Sequence, residues 1–216
     1  MPPTTAAAGP RRRDAQRNRE QILTATREAF RERGLDVGVD EIARRAGVGM
    51  GTLYRHFPTK HALIDAIVDA RFEELTACAQ QALQHADPWE GLATFLDTAV
   101  TLQAGDRGFK DALAARGRDE KGVKAARRRL HAAMGDLLER GQAAGVVRPD
   151  LAVADLVVLL WATARIVERT PETAPAQARR FVVLHLQGLR ADAAVRSPDI
   201  EPMTPRQLGR SISRPS

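Results

Sequence analysis

Helical periodicity, broken only by glycine and proline, is the feature that most limits what this chain can fold into. Apolar residues recur at spacings of three and four along most of its length, and no stretch alternates with period two. The expectation is an all-α fold of about nine helices, near residues 14–33, 39–46, 50–56, 60–86, 89–103, 109–116, 123–144, 153–169 and 176–195. In the first of these, Ile22, Thr26, Ala29 and Phe30 share one face, and Gly34 suits the position just past the helix end. Thr59 is a good N-cap, Pro88 sits at a helix start and Gly145 at a helix end. The run Leu156, Val157, Val158, Leu159, Leu160, Trp161 is apolar all round, which predicts a helix buried on more than one side. At 216 residues the chain can bury a sizeable core, and it shows no internal repeat. The Pro/Ala/Arg-rich residues 1–13 read as a disordered basic arm, and the Pro/Ser/Arg-rich residues 196–216 as a disordered tail.

Charge is informative by position rather than in total. The formal charge is +6, but 29 Arg against 4 Lys, with 37 Ala and one Asn, is a bias that a GC-rich genome can produce. Residues 1–60 carry 12 basic and 7 acidic side chains, a balance of +5, while residues 61–216 carry 21 and 20, a balance of +1. The excess lies at the N-terminal end, where an anionic partner such as nucleic acid would bind. Cys78 is the one cysteine, which excludes an intramolecular disulfide and any multi-cysteine metal site. No apolar run is long enough to span a membrane, and the start MPPTTAAAGPRRR lacks the apolar core of a signal peptide. A reducing cytoplasm is the expected location.

Residues 39–57 read VDEIARRAGVGMGTLYRHF. Two short helices joined by a tight glycine turn suggest a helix-turn-helix. Ala43 is small enough for the helices to approach, Gly47 can take the positive φ of the turn, and Val48 plugs the gap between them. Leu53 and Phe57, four apart, face the core. Met50, Gly51, Thr52, Tyr54, Arg55 and His56 are then wholly or partly available outside, on a short helix suited to a major groove about 12 Å wide.

This pattern resembles the DNA-binding domain of the TetR family of transcriptional regulators over about residues 17–63. The matching residues are Phe30 and Gly34, then Ile42 and Ala43, then Ala46, Gly47 and Val48, then Gly51 through Phe57, followed by Lys60 and Leu63. The resemblance implies a helix-turn-helix domain over residues 14–59 and a ligand-binding and dimerisation domain over residues 60–195. It implies phosphate contacts by Tyr54, His56 and Lys60, and approach of Gly51 and Thr52 to base edges and phosphate. Arg55 is the best candidate for base readout, since arginine can pair with guanine through two hydrogen bonds, with a bare phosphate contact as the alternative. Three positions depart from the family pattern. Gly38 and Gly49 stand where a capping Thr and Ser are common, and Met50 stands where Lys or Arg often reads bases. Arg11, Arg12, Arg13, Arg17 and Arg19 form a cluster that either enters a neighbouring minor groove, as in some family members, or is a solvated tail.

The rest of the chain offers no rival chemistry. Gly47, Gly49 and Gly51 lack the strand and lysine of a phosphate loop. His56 and His61 are split by Pro58, and His85, His131 and His185 stand alone, so no metal site and no cofactor are expected. Arg127, Arg128 and Arg129 read as a solvated helix face. No nucleophile, acid and base converge, so the chain does not read as an enzyme. Candidate lining for a small-molecule cavity is Trp89, Phe95, Phe109, Met134 and Trp161, with Arg165 for an anionic group; for each the plainer reading is core or surface packing. Residues 153–169 and 176–195 are the expected dimer helices, with Leu156, Leu160, Phe181, Leu184, Gly188 and Leu189 as interface candidates. The reading is a homodimeric repressor of a palindromic operator in double-stranded DNA, released by an unidentified small molecule. The alternatives are a regulator controlled by a partner protein and an unrecognised helical enzyme.

Overall fold

The computed structural model describes residues 10–104, 121–169, 174–192, 201–204 and 206–207. Among these there are eight α-helices: α1 (Pro10–Arg33), α2 (Val39–Arg45), α3 (Met50–His56), α4 (Lys60–Ala82), α5 (Pro88–Ala104), α6 (Lys121–Ala143), α7 (Val153–Arg169) and α8 (Ala174–Leu189). A single 3-10 turn, Gly34–Asp36, follows α1. The helix expected near 109–116 lies outside the described residues. The only extended pairing among the described residues is an isolated antiparallel bridge between Val147 and Arg190.

Helix ends follow the local chemistry. Gly34 takes φ 69°, the left-handed position that closes α1. Thr59 caps α4, its hydroxyl accepting from the Ala62 N–H at 3.0 Å. Asp87 does the same for α5, accepting from Trp89 N at 2.8 Å and Glu90 N at 3.3 Å, with Pro88 at the first helical position. Helix α4 stops at Ala82, four residues short of the expected Ala86. Beyond that end Arg140 of α6 reaches across and donates to the carbonyls of Leu83, His85 and Ala86, so a side chain satisfies acceptors of the connecting segment. Helix α1 begins at Pro10 rather than near Asp14, so residues 10–13, expected in the arm, are helical. Residues 1–9 lie outside the described residues. Within the expected tail, the Thr204 N–H and hydroxyl both bond the Gln207 side-chain oxygen, at 2.9 and 2.8 Å.

One apolar core runs through both halves. It includes Ile22, Phe30, Ile42 and Leu53 of the first three helices, Leu63 and Ile67 of α4, and Leu92, Phe95, Met134 and Leu137 of the bundle. Helix α4 is the shared wall: it packs on α1 near its start and along α5 and α6 beyond. Helices α7 and α8 pack on each other and cover α5. Along α7, expected to be buried on more than one side, Val157, Val158 and Leu159 are half-buried. Leu156, Leu160, Thr163 and Ala164 face inward, whereas Trp161 is 46% exposed.

Candidate nucleic-acid interface

The turn between α2 and α3 is held by its backbone. Ala46 N donates to Ile42 O at 2.9 Å, and Val48 N donates to Ala43 O at 3.0 Å. Between them Gly47 sits at φ 67°, a region that a side chain with a Cβ enters only at a cost. Ile42 and Ala43 are buried beneath the turn, and Val48 packs against the same core. Helix α3 then turns its Leu53 inward, and Phe57, its C-cap, is equally buried. With that face sealed, the opposite face has to look outward. Met50, Gly51, Tyr54 and Arg55 are exposed, and Thr52 and His56 are half-buried. Lys60, also half-buried, is the first residue of α4, where four backbone N–H groups and the positive helix end lie. All seven residues expected at the DNA surface thus sit on α3 or at the start of α4.

Gly38 and Gly49 occupy the N-cap positions of α2 and α3, and neither provides a side-chain cap. Their surroundings differ. A Cβ on Gly49 would meet nothing within 4 Å, while one on Gly38 would lie 2.2 Å from Asp40 Oδ1. The space beside Gly38 is therefore already taken by the acidic side chain in the first turn of α2.

An ionic clamp ties α1 to α2. Arg45 donates to Glu41 Oε1 from Nε at 3.0 Å and Nη2 at 2.8 Å, and to Glu32 Oε2 from Nη1 at 2.7 Å. Arg33 donates to Glu41 Oε2 at 2.8 Å. The Arg45 hydrogen bonds, aided by Arg33, hold the Glu41 carboxyl below the usual carboxylate range. Sequence reasoning missed this clamp. Its readable signal was the Glu41–Arg45 spacing of four on one helix. Two of the cations in the basic N-terminal third are thereby spent internally. Arg44, its side chain 75% exposed, keeps only a loose pair with Glu41 at 3.7 Å and remains turned toward solvent.

The arginine cluster of α1 is divided. Arg13 and Arg17 are exposed. Arg19 is half-buried, its guanidinium carbon 5.3 Å from the centre of the Phe57 ring. Arg11 and Arg12 lie on α1, with their side chains outside the described residues.

The other expected sites fare unevenly. Trp89, Phe95 and Met134 are buried in the core of the bundle. Trp161, expected to line a cavity, instead lies on the outer side of α7. Phe109 and the Arg165 side chain lie outside the described residues. Of the interface candidates, Leu156 and Leu160 are buried within the subunit, because they are on the inward face of α7. Leu184 is 60% exposed on α8, with Val183 beside it; Phe181, Gly188 and Leu189 are half-buried. Trp161 and Val183, which were not among those candidates, are exposed apolar side chains as well. Among the described residues, no group of three His, Cys, Asp or Glu could hold a metal ion. No described helix is long and apolar enough to cross a membrane.

Known proteins share both halves. Residues 22–67 match the family described as bacterial regulatory proteins, tetR family. Residues 87–191 match the C-terminal domain of SbtR-like transcriptional regulators. The solved TetR transcription regulatory protein of Mycobacterium vanbaalenii is 39% identical, with 84% of this chain aligned to 99% of that one at a TM-score of 0.66. A TetR transcriptional regulator of Streptomyces coelicolor is 35% identical, over 81% of this chain and 99% of that one, with a TM-score of 0.64. A helix-turn-helix transcriptional regulator of Staphylococcus aureus is 38% identical over 82 residues, which are 37% of this chain and 42% of that protein. The chain thus spans less than half the length of that curated relative, while it covers nearly all of the two solved ones. With the glycine turn, the sealed inner face of α3 and full-length likeness in agreement, the chain belongs to the TetR family of DNA-binding transcriptional regulators.

Proposed function

We propose that two copies of the chain bind a palindromic operator as a homodimer and repress transcription, and that a small molecule in the bundle releases them. The observation that carries this reading is the two-faced α3. Leu53 and Phe57 anchor it to the core, at 1% and 3% exposure, while Met50, Tyr54 and Arg55 project outward. In this role Arg55 pairs with a base edge, Tyr54 and His56 bond phosphate oxygens, and Lys60 adds charge at a helix N-terminus. Gly51 and Thr52 let the backbone approach the groove closely. The protein acts in the cytoplasm, where the operator is, and it acts by binding rather than by catalysis.

Helix α4 supplies the route for release. It carries Lys60 at its first turn and packs along α6 in the bundle, so a ligand that moves α4 also moves the reading heads. The ligand must bind the two head spacings with different affinity for DNA to be released. The near-neutral bundle, with its aromatic core, suits a ligand of low charge. For the dimer, Trp161 on α7 and Val183 and Leu184 on α8 are exposed apolar side chains on two helices that pack together.

The test is fluorescence anisotropy with the DNA upstream of the chain's own coding sequence. Tight, salt-dependent binding that is lost in Tyr54→Ala and Lys60→Ala supports the assigned surface. Unchanged affinity in both variants removes it.

A further inference from the structure

Arg19 belongs by sequence to a run of arginines beside the DNA-binding head, yet its side chain is turned to the protein. Its guanidinium carbon lies 5.3 Å from the centre of the Phe57 ring, within the range of a cation–π contact. Phe57 lies at the junction of the reading helix and α4. Its N–H donates to Leu53 O at 2.8 Å, closing α3, and its ring is 3% exposed. Pro58 and then Thr59, the N-cap of α4, follow it directly. A group fixed on this ring therefore fixes the angle between α3 and α4. The charge of Arg19 also reaches Asp69 of α4, whose Oδ1 is buried without a hydrogen-bond partner. The charges acting on Asp69 are Asp65 and Glu73 of α4, Arg129 of α6 and Arg19 of α1. Arg129 is paired with Glu73, so of the two cations around that carboxylate Arg19 is the one that also touches the reading helix.

We propose that Arg19 is a positioning residue, which orients the reading helix α3 by stacking on Phe57, and not a contact to DNA. This rests on the DNA-binding role of α3 given above. Arginine suits the task because its planar, weakly hydrated cation can lie flat on an aromatic face while its edge stays hydrated.

The experiment measures promoter-DNA affinity against salt concentration for the wild type, Arg19→Gln, Arg19→Lys, Phe57→Leu and the Arg19→Gln/Phe57→Leu double variant, with Lys60→Ala as the reference for a phosphate contact. Thermal unfolding of each variant sets a temperature at which all are folded. The expected result for Arg19→Gln is affinity reduced from a few-fold to about tenfold, with an unchanged slope of log affinity against log salt. Arg19→Lys recovers only part of the loss, because an ammonium does not stack as a plane. In the Phe57→Leu background, Arg19→Gln costs nothing further. A slope reduced by about 0.9, as expected for Lys60→Ala, makes Arg19 a phosphate contact and overturns the proposal. So does full rescue by Lys, additivity in the double variant, or a lowered melting temperature with unchanged affinity. If the wild type does not bind or Lys60→Ala has no effect, the DNA-binding reading of the surface falls, and this proposal falls with it.

Discussion

Arg45 of α2 donates to Glu32 of α1 at 2.7 Å, and together with the Arg33–Glu41 bond it ties α1 to the first helix of the reading motif. The same guanidinium grips Glu41 on its own helix, so the clamp is a network rather than an isolated surface pair. Networks of this kind are the circumstance in which exposed ion pairs contribute measurably.

The clamp sets an acid dependence. Glu41 is held below the usual carboxylate range, first by the hydrogen bonds from Arg45. A lowered native pKa gives stability that is fully present above the unfolded value, near 4 on the usual scale for a glutamate, and is lost as pH falls through the native value. Glu41→Gln therefore lowers the melting temperature at pH 7, and it flattens the decline from pH 5 toward pH 3. Parallel melting curves for both proteins across that range would remove the clamp from the stability argument.

Lys60 and Tyr54 are expected to differ in how they fail. Lys60→Ala removes a cation from phosphate, so affinity falls and the salt slope drops by about 0.9. Tyr54→Phe removes only a hydroxyl, at a cost of about 0.5–1.5 kcal/mol and with the slope retained. Anisotropy titrations at several salt concentrations separate the two.

Gly49→Ser is expected to stabilise the reading head. The site is the N-cap of α3, it has extended backbone at φ −72°, and nothing lies within 4 Å of an added Cβ. Serine there accepts a hydrogen bond from the free end of α3, for a gain of a few tenths of a kcal/mol over glycine. Gly47→Ala is the opposing control, because φ 67° penalises any Cβ by about 1 kcal/mol. Chemical denaturation reads both, and a loss of stability in Gly49→Ser contradicts the cap assignment.

The exposed apolar side chains of α7 and α8 predict assembly. Leu184→Arg and Trp161→Glu place charge on side chains that are 60% and 46% exposed in one copy, so each variant folds alone. Sedimentation velocity gives dimers for the wild type and monomers for the variants. Dimers throughout would place the interface elsewhere, and monomers throughout would remove the dimer.

The reading motif was the most legible part of the sequence, because its constraints are local. Gly47 had to turn, Ala43 had to be small, and Leu53 and Phe57 had to lie on one face; the spacing of these residues is a backbone requirement. Helices capped by nearby side chains were also readable, as Thr59 illustrates. What was hidden depended on distant residues. The carbonyl of Leu83, just past the end of α4, accepts from Arg140, more than fifty positions away. The inward turn of Leu156 and the outward turn of Trp161 could not be told apart in a run of six apolar residues, since periodicity carries no phase when every position is apolar. Arg19 looked like its neighbours in an arginine run until the fold brought Phe57 beneath it.

The placement of aromatic side chains gives the molecule separate optical reporters. Tyr54, the single tyrosine, stands on α3, 44% exposed, while both tryptophans belong to the bundle. Trp89 is enclosed, with the Arg190 guanidinium carbon 4.8 Å from its ring, and Trp161 faces solvent. Ultraviolet emission from the enclosed indole registers events inside the bundle. Emission from the open indole shifts to shorter wavelength when another subunit covers it. On the proposed roles of these surfaces, the phenol is the side chain placed to report operator capture and the open indole the one placed to report assembly.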